Sequence, residues 1–390
     1  MEFNRIKEQE QQYVMQTYGR VNVALVKGKN ATATDADGKQ YIDFTSGIGV
    51  NSLGFSDPQW VSAVAEQAGE IQHISNYYYH PKCTELAQRL SELSGMSRSF
   101  FCNSGAEANE CAIKVAREYG DSHSANRIIT LKDSFHGRTL TTLAATGQEA
   151  FHQQFLPLTQ GFVTPKENSL KEIKNLLDET ICAVMIEMIQ GEGGVNTFDS
   201  EFIHSLRRLC DENAVLLIID EVQTGIGRTG NFFAYQGHGV NPDIVTCAKG
   251  IAGGLPMGVC MVSEKLREIM KPGMNGSTFG ANPVACAGAL EVLRRISAPG
   301  FLGAVKEKSK RLRSGLQKLS RVMDIHGEGL ILGMDIDNIA PSEVLKRCAE
   351  NGLLVLTAKN RVRFLPPLTI TEAEIDRGLK IFSDVLDSFD

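Results

Sequence analysis

Three short apolar runs constrain this chain more than anything else in it: "CAVMIE" (182–187), "VLLIID" (215–220) and "DIVTCA" (243–248). They are continuously apolar rather than alternating, the pattern of strands buried on both faces of a sheet. Each ends in a charge or is followed at once by one: Glu187, Asp220 and Lys249. A sheet covered on both faces needs helices between its strands. The sequence supplies them in "EANECAIKVAREYG" (107–120), where Ala108, Ala112, Val115 and Ala116 recur at helical spacing, and in "SEFIHSLRRLCDENA" (200–214). Further strands are expected at "SRSFFCN" (97–103) and "RIITL" (127–131). The expectation is an α/β fold with a largely parallel sheet. Ligands of such sheets sit at the carboxyl ends of the strands, where the three charges fall.

Beyond "PGMNGSTFGANP" (272–283) the texture changes. Helical stretches at 284–296 and 301–322 lead to short strands near "HGEGLILGMDI" and "RVRFLPPL", then to a last helix in "TEAEIDRGLKIFSDVLDSF". This reads as a smaller α+β unit, and 390 residues leave room for it beside a large domain. The net charge of -6, with no Lys/Arg block, argues against nucleic acid and anionic membrane as partners. No apolar run approaches the ~20 residues that span a bilayer. The first twenty residues are polar and charged, so a cytoplasmic location is expected. Nine scattered cysteines with no C-x-x-C pair suit reduced thiols. The eight histidines lack metal-ligand spacing, and no metal is expected.

"VLLIIDEVQTGIGRTG" holds G-x-G-x-x-G at Gly225, Gly227 and Gly230, directly after a strand. A dinucleotide site, and hence a nicotinamide dehydrogenase, requires that turn to open an apolar helix. "NFFAYQGHGVNPD" follows instead, without helical period. Asp220 is more informative. A carboxylate ending a buried strand is costly unless paired. It serves either as a helix cap or ion-pair partner, or as the partner of a buried cation such as a protonated pyridine nitrogen. Lys249 ends the next strand, where a lysine in a dry pocket becomes a nucleophile toward carbonyls. These are the two protein groups that pyridoxal phosphate requires. "CNSGAEANE" offers a turn into a helix, where Ser104, Gly105 and Ala106 would present amides to a phosphate. "FHGRT" adds Phe135, a ring to stack on a cofactor, and Arg138, a guanidinium for a carboxylate.

Together with "IQGEGG", "AKGIAGGLPMG" and "GSTFGANP", in order and spacing, these motifs resemble the class III aminotransferases, pyridoxal-phosphate enzymes of fold type I. The resemblance spans nearly the whole chain and is strongest to the branch that acts on N-acetylornithine. It implies a large domain (46–283) with a mostly parallel seven-stranded sheet, and a small domain (284–390) joined by an N-terminal segment (1–45). By the same resemblance Lys249 is the Schiff-base lysine and Asp220 pairs the pyridine nitrogen. Val222 and Gln223 lie against the ring and its hydroxyl, and Gly105 and Ala106 bind phosphate. Thr278, with Ser277 beside it, reaches the cofactor phosphate of the neighbouring subunit of a homodimer with shared sites. Arg363 takes the carboxylate beside the reacting carbon, Glu192 masks Arg363 when that carboxylate is absent, and Arg138 holds the distal carboxylate.

The implied reaction moves the terminal amine of N2-acetylornithine to 2-oxoglutarate, giving N-acetylglutamate 5-semialdehyde and glutamate by a ping-pong route, a step of arginine biosynthesis. Ile48 stands where ornithine aminotransferases place a tyrosine, and an apolar residue suits an acylated α-nitrogen. Ornithine, succinylornithine, N-succinyl-diaminopimelate and 4-aminobutyrate stay open as donors, because small pocket differences are worth only ~1–3 kcal/mol. A non-catalytic, cofactor-binding relative is the remaining alternative. The chain departs from the family's usual residues at Met188, Ala281 and "SNYYYHP" (75–81).

Overall fold

A computed structural model describes residues 2–122 and 124–389. Near the N-terminus, strands β1 (Leu25–Lys29), β2 (Thr32–Asp35) and β3 (Gln40–Asp43) form an antiparallel meander. Next come β4 (Arg98–Cys102), β5 (Arg127–Thr130), β6 (Phe162–Val163) and β7 (Ile181–Glu187), then a small hairpin of β8 (Ile189–Gln190) and β9 (Asn196–Thr197). Strands β10 (Leu216–Asp220), β11 (Ile244–Cys247) and β12 (Gly258–Val262) follow. The C-terminal part contributes β13 (Val322–Glu328), β14 (Ile331–Ile336), β15 (Leu353–Leu354), β16 (Leu356–Ala358) and β17 (Arg361–Phe364).

Seven strands form the central sheet in the order β4-β12-β11-β10-β7-β5-β6. The pairs β10–β11, β10–β7, β5–β7 and β5–β6 are parallel. Strands β7, β10 and β11 are buried throughout, as their continuous apolar runs require. The helix Gly105–Asp121 lays Ala108, Ala112, Val115 and Ala116 on this sheet, and all four are buried. Strand β12 was not foreseen. It runs antiparallel to both β11 and β4, so the sheet is mixed at that edge.

The C-terminal sheet has the order β13-β14-β17-β16, antiparallel throughout. The helix expected over 301–322 stops at Leu316, and Val322 already begins β13. Residues 317–321 form a turn between that helix and β13, and of the expected helical segment only Val322 pairs with β14. Strand β15 joins the N-terminal meander instead, parallel to β3.

The glycine cluster after β10 opens no apolar helix, for the next helical turn, Ala234–Gly237, has only four residues. Gly227 and Gly230 take left-handed φ of 83° and 86°. A Cβ on them would lie 2.8 Å from Ile296 and 2.7 Å from Lys306. Close packing on the C-terminal helices explains these glycines. Between them Arg228 is buried and clamps that unit, donating to the carbonyls of Leu330 (3.0 Å) and Pro366 (2.5 Å). Burial pulls its pKa down to about 9.

Candidate active site

The carboxyl ends of β7, β10 and β11 open into a cleft of about 400 Å³. Volume does not single it out, since a cleft of about 770 Å³ lies along Lys132, Gln148 and Lys359. Chemistry does. Glu187, Asp220 and Lys249 all line the smaller cleft. Lys249 follows β11 after Ala248 alone and opens a single 3₁₀ turn, with φ +44°. A lysine held in the left-handed region is strained, which the surrounding packing must over-determine. Gly250 explains the sequence's abrupt switch to glycine: a Cβ there would sit 2.3 Å from Ser52 Oγ. Burial lowers the Lys249 pKa, Glu192 opposes that shift, and Arg363 reinforces it.

Asp220 is 3% exposed. Its Oδ2 accepts from Asn109 Nδ2 and is bonded to His136 Nδ1, both at 2.8 Å, and Oδ1 accepts from the Val222 amide at 2.9 Å. Asn109 also donates to the His136 carbonyl (2.7 Å) and accepts from Thr246 Oγ1 (2.7 Å). Among the described residues no lysine or arginine forms an ion pair with Asp220; its charged or chargeable partner is the buried His136, and the fixed carboxylate lines the cleft. Glu187 stands in register beside it on β7. Burial, then the charge of Asp220, push the Glu187 pKa well above the usual carboxylate range. Glu187 Oε2 accepts from the Phe135 amide (2.9 Å), which anchors that ring at the cleft wall.

Opposite Asp220, the helix Gly105–Asp121 begins at the cleft. Ser104 caps it, accepting from Glu107 N (3.2 Å) and donating to Glu107 Oε2 (3.0 Å). The amides of Gly105 and Ala106 belong to the first turn, whose donors have no partner within the helix. A Cβ on Gly105 would lie 2.8 Å from Val222, so only glycine lets these two walls meet.

At the other end Glu192 and Arg363 form an ion pair of 2.8 Å. Arg363, 2% exposed, also donates to the Gly191 carbonyl (2.9 Å) and Gln223 Oε1 (3.1 Å), and its buried Nε has no partner among the described residues. Gln223 Nε2 donates to Glu192 Oε1 at 3.2 Å, so it belongs to this pair. Burial would raise the Glu192 pKa, but Arg363 outweighs it and holds the carboxyl below its ordinary range. Arg138 lies exposed at the mouth, its guanidinium 4.1 Å from the Phe151 ring centroid and 5.4 Å from that of Phe135.

Three expected residues stand apart. Ser277 is outside the cleft's lining and meets it through Asn103, whose Nδ2 donates to Ser277 Oγ at 3.2 Å. Thr278 is exposed and outside the cleft's lining. Ile48 is 43% exposed on a left-handed turn; Val50, not Ile48, lines the cleft. "SNYYYHP" braces the same neighbourhood, because Asn76 Nδ2 donates to the carbonyls of Ser277 and Gly280, both at 3.0 Å. Sequence reasoning missed Asn109, His136 and Thr246. Asn109 alone left a signal, as a polar residue inside the helix's buried stripe.

The Aminotransferase class-III family model matches residues 13–386. Acetylornithine aminotransferase of Haemophilus ducreyi is 48% identical over 99% of both chains. The enzyme of the same name from Caldanaerobacter subterraneus is 46% identical over 97% of this chain and 98% of its own. Among solved structures, ornithine aminotransferase from Toxoplasma gondii superposes with a TM-score of 0.94 at 31% identity, covering 99% of this chain and 95% of the other. N-acetylornithine aminotransferase from Stenotrophomonas maltophilia does so with a TM-score of 0.84 at 35% identity, covering 98% of each. A chain matched over nearly its full length, with a buried lysine and a fixed carboxylate at its strand ends, belongs to the class III aminotransferases.

Proposed function

We propose that this enzyme transfers the terminal amine of N2-acetylornithine to 2-oxoglutarate, with pyridoxal phosphate as cofactor. The cleft's residues fit that group. Asp220 offers a buried carboxylate to a ring nitrogen, and the Gly105 and Ala106 amides, in the first turn of their helix, offer a phosphate cradle. Phe135, Val222 and Gln223 line the cleft where they would hold the ring and its hydroxyl, and Lys249 would hold the aldehyde as an imine, with loss of water. When bound, the cofactor supplies that aldehyde for amine exchange and a ring that accepts the electron pair released at the substrate carbon.

The chain's own residues do the rest. Lys249 Nζ, its pKa lowered by burial, is available as a base to remove the proton from the substrate's amine-bearing carbon. Asn109 and His136 hold Asp220 in place while charge develops. Arg138 binds the distal carboxylate at the mouth. Thr278, exposed on this chain, completes the phosphate cradle of the partner in a homodimer, and the exposed Tyr77, Tyr78 and Tyr79 fit a covered surface there. The proposed division is a large domain over 46–283 and a small one over 284–390 joined by 1–45, and the proposed location is the cytoplasm.

One observation carries the choice of a donor that lacks a carboxylate at its reacting carbon: the Glu192–Arg363 pair. Paired, Arg363 makes no demand for a carboxylate; released, it binds that of glutamate or 2-oxoglutarate bidentately. The names of the two relatives select N-acetylornithine among such donors. Stopped-flow measurement of the first half-reaction with a donor panel tests this. N-acetylornithine should have the highest kcat/KM; ornithine or 4-aminobutyrate reacting faster would replace the reading.

A further inference from the structure

Glu192 sits at the tip of the β8–β9 hairpin, and two arginines of one strand flank it. Arg361 and Arg363 are two apart on β17, so their side chains share a face of the C-terminal sheet. Arg363 holds the carbonyl of Gly191, on one side of Glu192. Arg361 NH1 holds the carbonyl of Gly194 (2.5 Å) and Asn196 Oδ1 (3.0 Å), on the other side. Asn196 in turn donates to the Gly193 carbonyl at 2.9 Å. Arg361 Nε is tied back to Asp335 Oδ1 at 3.0 Å, and Asp335 Oδ2 is bonded to His326 Nε2 at 2.7 Å.

Between the arginines, Val195 is fully buried with φ +59°. It fills a hole over β13 and β14: a Cβ on Gly333 would lie 2.9 Å from it, and one on Gly327 2.8 Å. A valine held in the left-handed region is strained and persists only when its surroundings fix it. The far side of the hairpin is therefore pegged to the C-terminal sheet, while the Glu192 side makes the pair that the reaction exchanges.

Asp324, His326 and Asp335 place their ligand atoms within 4.8 Å of one another, a grouping that resembles a cation site. The Arg361 guanidinium already occupies that role, and Asp324 is exposed. The cluster reads as the foot of a brace.

We propose that Arg361, footed on Asp335 and His326, is a positioning residue that sets where Glu192 stands and so determines the enzyme's preference between its two half-reactions. This rests on the masking role given to Glu192 above. Loosening the brace lets Glu192 drift from Arg363, which leaves the guanidinium exposed in the donor half-reaction and free in the glutamate half-reaction.

The test uses the holoenzyme and its Arg361→Met, Arg361→Lys and Asp335→Asn variants, each half-reaction measured separately. Arg361→Met should lower kcat/KM for N-acetylornithine roughly 3- to 30-fold while glutamate stays within about twofold. Arg361→Lys and Asp335→Asn should fall between it and the parent. Glutarate, which needs Arg363 and cannot react, should bind Arg361→Met more tightly by calorimetry. In a Glu192→Gln background, Arg361→Met should add less than about twofold. An equal loss in both half-reactions with a lower melting temperature would make Arg361 merely structural and overturn the proposal, as would no change in either. If Glu192→Gln separates the half-reactions and Arg361→Met does not, only the brace fails. If Glu192→Gln does not separate them, the masking role and the brace fail together.

Discussion

The two ends of the cleft hold their carboxylates in opposite ways. Asp220 ends a central strand, is held by Asn109 from the helix Gly105–Asp121 and His136 from the 134–138 loop, and among the described residues pairs with no lysine or arginine. Glu192 stands on a two-stranded hairpin, partly exposed, and is neutralised by an arginine from the other sheet. A carboxylate held by fixed partners, with no lysine or arginine on it, suits a group that arrives once and stays. A carboxylate already paired with a cation suits a contact that must be broken and remade in each cycle.

The harshest way to break that comparison is at the residue both ends share. Lys249→Ala should lower turnover by about 10²–10⁴-fold from lost proton transfer alone, with the melting temperature little changed. Single-turnover rates close to the parent's would remove Lys249 from the chemistry. At the fixed end, Asp220→Asn keeps the shape and loses the charge. Cofactor retention should weaken roughly 10- to 100-fold, on the scale of one charge-assisted hydrogen bond. Equilibrium absorbance titration reads this, and a fall in melting temperature with unchanged retention would mark Asp220 as structural only.

At the exchangeable end the expected effect carries a sign. Glu192→Gln should cost N-acetylornithine about tenfold or more, because the buried Arg363 is left unpaired. Glutamate should react as well as before or better. Equal losses would mean that Glu192 supports the site without switching it.

Acidity sharpens the contrast with the smallest effects on the two half-reactions. The Glu192 carboxyl is held below its ordinary range, so the pair's contribution is present above the unfolded pKa of ~4.3 and disappears only as pH falls through the lower folded value. The ratio of the two half-reactions should therefore be flat between about pH 8 and 6 in this respect. Glu221, next to Asp220, behaves oppositely: burial raises its pKa to about 7. Its native state binds a proton more readily than the unfolded chain, so it destabilises progressively as pH rises from ~4.3 through about 7, by at most ~3–4 kcal/mol. Glu221→Gln should flatten the melting temperature against pH in that window. An unchanged slope would assign it to other groups.

The central sheet was legible because strands covered on both faces are apolar without interruption, and the charges that break the pattern mark the cleft. β12 escaped because "GVCMV" carries the same pattern whichever way it runs; direction is set by neighbours, not residues. The end of the helix at Leu316 escaped because "QKLSR" (317–321) carries no glycine or proline to mark a stop. Asn109 and His136 could not be read as partners of Asp220, since they lie 111 and 84 positions away and meet it only across the sheet. The Glu192–Arg363 pair, 171 positions apart, came from resemblance and not from periodicity.

The pairing of β3 with β15 has a consequence for how the chain is made. Ile42 and Asp43 find their parallel partners in Leu353 and Leu354, and Leu365 N bonds the Phe44 carbonyl. A ribosome adding 5–20 residues per second takes roughly 15–60 s to travel from one strand to the other. For that time β3 is a second bare edge of the N-terminal meander, beside β1, and a template for the wrong strand. The central sheet can close meanwhile, since its strands all precede residue 263. The last part of the molecule to settle is then the seam between its first strands and its last, and a nascent chain stalled before residue 353 carries that open edge to whatever it meets.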